Sequence, residues 1–302
     1  MRTPPRAVAC GEEAGTADRD DLLASGVPRF LDGARYDVPQ GRYARIRHRL
    51  ARRSVSPRVP LEWILSAAQR RTAGSRTRRS ADARRAPGLR SFASIAILDI
   101  ESLGFLGQPL FLIGVLHLRR ARGVATPGRR PGGSSPRRAA GRSSPRCTNT
   151  EPLFHAELVQ YLARDYSEEE AVLRGFWRQS AKSRLWVTFN GRSFDLPFIR
   201  LRAQRHRLEP PEPRAHLDLL PVARRLWGAH LPDCRLQTLE RRICGRLRTG
   251  GLPGPLIPGA YHAFVRTGEP YEMIEILRHN ADDLLGLCDL FAHAVAAADA
   301  RT

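Results

Sequence analysis

Two acids interrupt an otherwise apolar run in SIAILDIESLGF, residues 94–105: Asp99 and Glu101, with only Ile100 between them. Ser94 to Leu98 reads as a buried strand, and alternation along a strand turns positions i and i+2 to the same side. Two carboxylates on one face repel each other unless something neutralises them. Hard divalent cations such as Mg²⁺ do so, because they prefer carboxylate oxygens and keep coordination positions for water or phosphate. Two such ions, about 3.5–4 Å apart, clamp the attacking and leaving oxygens of a phosphodiester. That chemistry asks the rest of the chain for further carboxylates.

Two more stretches supply them. In VTFNGRSFDLPFI, Asp195 follows a short apolar strand and opens a helix. An acid there also serves as an ordinary helix cap. Asn190 and Gly191 form the turn before it, which brings polar groups to the carboxyl edge of the strand, where ligands of α/β sheets bind. In EILRHNADDLLGLCDL, His279 and Asp283 are four apart and share one helix face, and Asp282 is also within reach of His279. Leu277, Leu284 and Leu287 bury the neighbouring stripe, so Asp283 sits at the edge of a core.

The elements that must carry these residues follow from the pattern. Phe92 to Ile100 and Pro109 to Leu118 read as two strands, with Gly104 and Gly107 between them as a hairpin requires. Ser167 with Glu170 reads as a capping box opening the helix SEEEAVLRGFWRQSAKS. LWVTF, 185–189, is a buried strand, and a helix starts near Phe194. Further helices are expected at Leu219 to Trp227, Leu236 to Cys244, and from Pro270 onward. Strands early, helices late and a strand-helix passage between them point to an α/β or α+β domain of about 200 residues.

Charge divides the chain. It holds 50 basic and 30 acidic residues out of 302, and Lys182 is its one lysine, a skew that charge-driven binding would not select. Residues 1–90 contain 20 Arg against 9 acids, and residues 119–148 contain 9 Arg against none. Both stretches are rich in Ala, Pro, Ser and Gly and hold too little apolar surface to offset chain ordering. Order is therefore expected from about Ser91, with residues 1–90 a mostly disordered basic tail that contains at most one short amphipathic helix at VPLEWILSAAQRR. Residues 119–150 are expected to be a disordered interruption of the domain spanning 91–302. Five cysteines without a CxxC pair argue for a reducing compartment and against structural zinc. No signal-peptide core and no membrane-length apolar stretch is visible, so the expected location is cytoplasmic, away from membranes.

DIESLGF, VTFNGRSFDLPFI and HNADDLLGL, in that order, resemble the three motifs of the DEDD 3′–5′ exonuclease superfamily on a ribonuclease H-like fold. More narrowly, the chain resembles the YprB-like family of predicted exonucleases, whose connecting segments are similar to HLDLLPVARRLWG, CRLQTLERRICG and LPGPLIPGAYHAFVRTGEP. The resemblance covers about 91–118 and 151–298. It implies a mixed central sheet flanked by helices and metal ligation of two Mg²⁺ or Mn²⁺ ions by Asp99, Glu101, Asp195 and Asp283. It further implies a 3′–5′ exonuclease acting on a nucleic-acid strand, with a single-stranded end the expected partner. His279 would accept or orient the proton of the attacking water. Leu103 and Asn190 are expected at the substrate, and Phe105 in the core. The pattern is broken once: the 119–150 segment takes the place where the family passes into another strand, and HAELVQYLARDYSEEE resumes it. An edge strand is therefore expected to be short or missing. The alternative function is a catalytically impaired nucleic-acid-binding module of the same fold.

Overall fold

The computed structural model describes residues 16–26, 35–39, 42–50, 94–120, 154–210, 212–248 and 251–299. Its strands are β1 (Arg35–Asp37), β2 (Ala44–Leu50), β3 (Ser94–Ser102), β4 (Leu110–Arg120), β5 (Phe154–Leu162), β6 (Leu185–Thr188) and β7 (His216–Asp218). Its helices are α1 (Thr16–Gly26), α2 (Glu169–Ser180), α3 (Asp195–Arg205), α4 (Leu219–Trp227), α5 (Leu236–Arg242), α6 (Ile257–Thr267) and α7 (Tyr271–Asp299). The strands form one mixed sheet in the order β1-β2-β5-β4-β3-β6-β7. Strands β1 through β3 pair antiparallel along that order, whereas β6 and β7 run parallel to β3. This is the mixed, helix-flanked sheet of a ribonuclease H-like fold.

The centre of the sheet is apolar on both faces, as strands covered from two sides must be. Ile95 and Ile97 of β3 pack in one core with Val222 and Leu226 of α4 and the long stripe of α7 from Ala281 to Val295. Ala96 and Leu98, turned the other way, join the core formed with Phe176 of α2 and Phe198 of α3. Helix α7 thus crosses the face to which Asp99 belongs.

The β3–β4 hairpin forms as expected, with Gly104 and Gly107 both in positive-φ conformations that side chains resist. The ladder slips between Glu101 and Ser102, a bulge just after the second acid.

Order begins well before Ser91. Strand β2 pairs with β5 along Ala44 to Leu50, and α1 buries Leu23. ARIRHRL escaped notice because its arginines dominate the composition, yet a strand needs apolar residues only at every second position. Ala44, Ile46 and His48 are buried, while Arg45 between them pairs with Asp37. VPLEWILSAAQRR and the remainder of the expected tail lie outside the described residues. Arg119 and Arg120 belong to β4, and residues 121–153 lie outside the description. Among the described residues, FHAELVQYL forms β5, inside the sheet between β2 and β4.

The capping box is replaced by a different device. Asp165 accepts a hydrogen bond from the Ser167 amide at 2.8 Å and starts a 3₁₀ turn, Tyr166–Glu168, that leads into α2. Glu170 instead bonds Arg174 on the surface. Helix α6 and strand β7 were both hidden in stretches legible only as connections; Pro258, second in α6, suits a first helical turn because no backbone donor is needed there.

Candidate metal centre

Asp99 and Glu101 leave β3 toward α7, opposite Gly114 and Leu112 of β4. On α7, His279 and Asp283 stand one turn apart, with Nε2 of the histidine 3.3 Å from Oδ2 of the aspartate. Glu101, His279 and Asp283 offer ligand atoms that all lie within 4.8 Å of one another. Two carboxylates and an imidazole at that spacing suit a divalent cation.

Asp99 is held from the helix. Asn280 Nδ2 donates to Asp99 Oδ2 at 2.8 Å, and Gln160 Nε2 donates both to Asn280 Oδ1 at 3.0 Å and to the Leu277 carbonyl at 2.7 Å. The carbonyl has only lone pairs to offer, so it fixes the Gln160 amide; Gln160 then fixes Asn280, whose donors must face Asp99. Gln160 and Asn280 are fully buried. The chain of bonds needs Gly114, because a Cβ there would stand 2.0 Å from Asn280 Oδ1.

Asp195 arrives from the other side. Strand β6 ends at Thr188, Asn190 turns the chain with φ 61°, and Asp195 lies in the first turn of α3. Phe194, not Asp195, occupies the N-cap, and it provides no side-chain bond. The turn is held by Asp218 at the end of β7, which accepts from the amides of Asn190 at 2.8 Å, Arg192 at 3.1 Å and Leu220 at 3.1 Å. Asp218 is buried and was not singled out from the sequence; its signal was an acid set between Leu217 and the pair Leu219–Leu220 in HLDLL.

The carboxylates feel one another. Burial pushes Asp99 well above the usual carboxylate range, reinforced by Asp283, Glu101 and Asp195. Burial likewise raises Glu101, with Asp283 and Asp195 adding to it. Asp195 rises to about 7 through burial, opposed by backbone hydrogen bonds and supported by Asp218 and Asp283. Asp99, Glu101, Asp195 and Asp283 thus lie within electrostatic reach of one another, and Glu101 and Asp283 join His279 in the group of ligand atoms. Asp282 faces away and reaches Arg246 at 3.4 Å.

One cation already stands at the acids. Arg248 bonds buried Glu240 through Nε at 2.7 Å and Nη2 at 2.8 Å, and the same Nη2 contacts Asp283. Glu240 comes this close to α7 because position 286 is glycine: a Cβ there would lie 1.6 Å from Glu240 Oε1. Of the residues expected at substrate, Asn190 is exposed and Leu103 is half-buried against the core. Phe105 is 90 % exposed at the hairpin tip, so it is no core residue; the two glycines carry the loop outward past the sheet edge.

Comparison with known proteins agrees with the architecture. Residues 149–295 match the family model RNase_H_2, described as RNase_H superfamily; the match begins after β3 and so leaves out Asp99 and Glu101. The chain is 35 % identical over 136 residues to the uncharacterised protein YprB of Bacillus subtilis (strain 168), an alignment covering 44 % of this chain and 33 % of that one. The chain thus spans about a third of the curated relative that it matches. Among the described residues, no helix is long and apolar enough to cross a membrane. The superfamily points to nuclease chemistry on nucleic acid, and the donor set at the end of β3 suits the divalent ions such nucleases employ. With its mixed sheet and these two partial matches, the chain is similar to YprB and to the ribonuclease H superfamily.

Proposed function

We propose that the chain is a metal-dependent nuclease, a 3′–5′ exonuclease that hydrolyses the terminal phosphodiester of a nucleic-acid strand. The observation that supports it best is the group Glu101, His279 and Asp283, whose ligand atoms lie within 4.8 Å of one another, with Asp99 and Asp195 within electrostatic reach of it. Four carboxylates gathered together, Asp195 buried and the other three half-buried, destabilise an apo fold and gain their use only when cations and phosphate join them.

In this reading Asp99, Glu101, Asp195 and Asp283 hold two Mg²⁺ or Mn²⁺ ions. Such ions, when bound, lower the pKa of a water and offset charge on a departing oxygen. Asn280 occupies one oxygen of Asp99 and leaves the other free to ligate. His279, steered by Asp283, takes the proton of the attacking water. The water oxygen bonds to phosphorus, the bond from phosphorus to the 3′ oxygen breaks, and the proton ends on that oxygen. The products are a nucleoside 5′-monophosphate and a strand one residue shorter.

A second reading, a catalytically impaired nucleic-acid-binding module, draws on Arg248, which already neutralises Asp283. One assay separates the two. Wild-type protein with Mn²⁺ should shorten a 5′-labelled oligonucleotide stepwise from its 3′ end. Asp195→Asn should slow that by more than about a hundredfold, the loss seen when one preorganised electrostatic group is removed. A wild type that binds the strand but leaves it intact with either ion favours the binding module, and undiminished cleavage by Asp195→Asn removes the site assignment.

A further inference from the structure

Beside the acids lies a surface of the opposite sign. Helix α5 and the chain that follows it wall a cleft of about 670 Å³ lined by Arg241, Arg242, Arg246 and Arg248, with His279 reaching into it from α7. His279 also belongs to the group of ligand atoms at the candidate metal centre, so the cleft opens directly onto that centre.

The four arginines are not equivalent. Arg248 is engaged by Glu240 and Asp283, and Arg246 by Asp282 and Asp289. Arg241 and Arg242 are exposed in the last turn of α5, and among the described residues no ion pair involves either. The one acid lining the cleft, Glu240, is already matched by Arg248. The cleft therefore offers positive charge to something from outside. Leu247, 76 % exposed on its wall, adds an apolar face suited to a sugar or base.

We propose that this cleft seats the phosphodiester backbone of a single nucleic-acid strand, with Arg241 and Arg242 on phosphates next to the linkage delivered to the acids. The volume falls within the range of about 300–1,000 Å³ that encloses a small ligand, which suits a short length of one strand. Guanidinium groups match phosphate in a bidentate manner, and each contact releases counterions. The inference rests on the nuclease reading for its direction toward the acids; strand binding itself is measured apart from it.

The test uses the full chain in EDTA and a fluorescein-labelled single-stranded oligonucleotide, with anisotropy followed across a salt titration. Arg241→Gln/Arg242→Gln is compared with Arg178→Gln/Arg205→Gln, two exposed arginines in the last turns of α2 and α3 on the opposite face of the sheet. That control is matched in charge and in helix position, so it subtracts the general attraction of a very basic chain. Loss of two phosphate contacts should flatten the log-log salt slope by about 1.4 beyond the control, at about 0.7 per contact for single strands. In the Mn²⁺ assay the cleft variant should lose kcat/KM, with the loss carried by KM.

A slope and affinity equal to the control's would overturn the proposal, and so would a duplex that binds more tightly with the same dependence on Arg241 and Arg242. The two readings fail separately. If the wild type cuts nothing yet the cleft variant still loses strand binding, the nuclease reading falls and the cleft stands. If cleavage is sensitive to Asp195→Asn but indifferent to the cleft variant, the cleft falls alone.

Discussion

Asp99 keeps only one carboxylate oxygen unoccupied because Asn280 holds the other at 2.8 Å. That bond sits at the end of a buried chain whose polarity is fixed by the Leu277 carbonyl through Gln160. A group tied this way aims its ligand atom without spending binding energy on ordering it. Asn280→Ala should cost about 1–3 kcal/mol of stability, since Gln160 and Asp99 each lose a buried partner. It should also weaken Mn²⁺ binding by about 10- to 100-fold, the usual effect of removing the residue that orients a ligand. Melting curves and a Mn²⁺ titration followed by electron paramagnetic resonance check both. Unchanged Mn²⁺ affinity beside a lowered melting temperature would reduce Asn280 to a packing residue.

At the level of elements, one buried carboxylate joins the parts that carry Glu101 and Asp195. Glu169, at the start of α2, accepts from the Leu110 amide of β4 at 2.8 Å, Arg202 Nε of α3 at 2.6 Å and His206 Nε2 at 2.8 Å. Arg202 also donates to the Gly107 carbonyl at 2.7 Å, so α3 grips the hairpin loop just beyond Glu101. Burial alone would raise Glu169, but Arg202, His206 and the Leu110 amide outweigh it and hold the carboxyl below its usual range. Its contribution is thus present above the unfolded carboxylate pKa and lost as pH falls through the lower folded value. Glu169→Ala leaves the 95 %-buried Arg202 side chain without its carboxylate and should cost about 3–5 kcal/mol. A urea titration at neutral pH measures this, and a loss below about 1 kcal/mol would mean that the helices and hairpin are joined by apolar packing instead.

For the whole molecule, Asp99, Glu101 and Asp195 set a pH dependence of the opposite sense. Asp195 is raised to about 7, and Asp99 and Glu101 are also raised. A carboxyl whose folded pKa exceeds its unfolded value stabilises the fold below the unfolded pKa, and that stability disappears as pH rises through the folded pKa. In EDTA, the melting temperature should therefore fall as pH rises from about 4 toward 7 and beyond. Saturating Mg²⁺ or Mn²⁺ should flatten or reverse the trend, because ligand carboxylates must be deprotonated and bound ions offset their repulsion. Calorimetric scans with and without the ion decide this. Identical profiles would show that the cluster binds no cation.

Local sequence was enough to determine the chemistry and much of the scaffold. The alternation around Asp99 and Glu101, the turn before Asp195 and the four-residue step from His279 to Asp283 are short-range patterns, and each landed on the expected strand, turn or helix. Distance along the chain hid the remainder. Strand β2 lies among arginines and declares itself only when β5 pairs with it. Asp218, Gln160 and Asn280 take meaning from partners 26–181 residues away, and no local window contains both ends of such a bond. The basic cleft is the sharpest case. Its arginines lie in the stretch of the chain where acids and bases balance in number, and folding gathers four guanidinium groups along the cleft, with His279 of the candidate metal centre in its lining. Charge counted along a chain adds up regardless of place, whereas a bound strand responds to charge within a Debye length, and only the tertiary structure decides which charges those are.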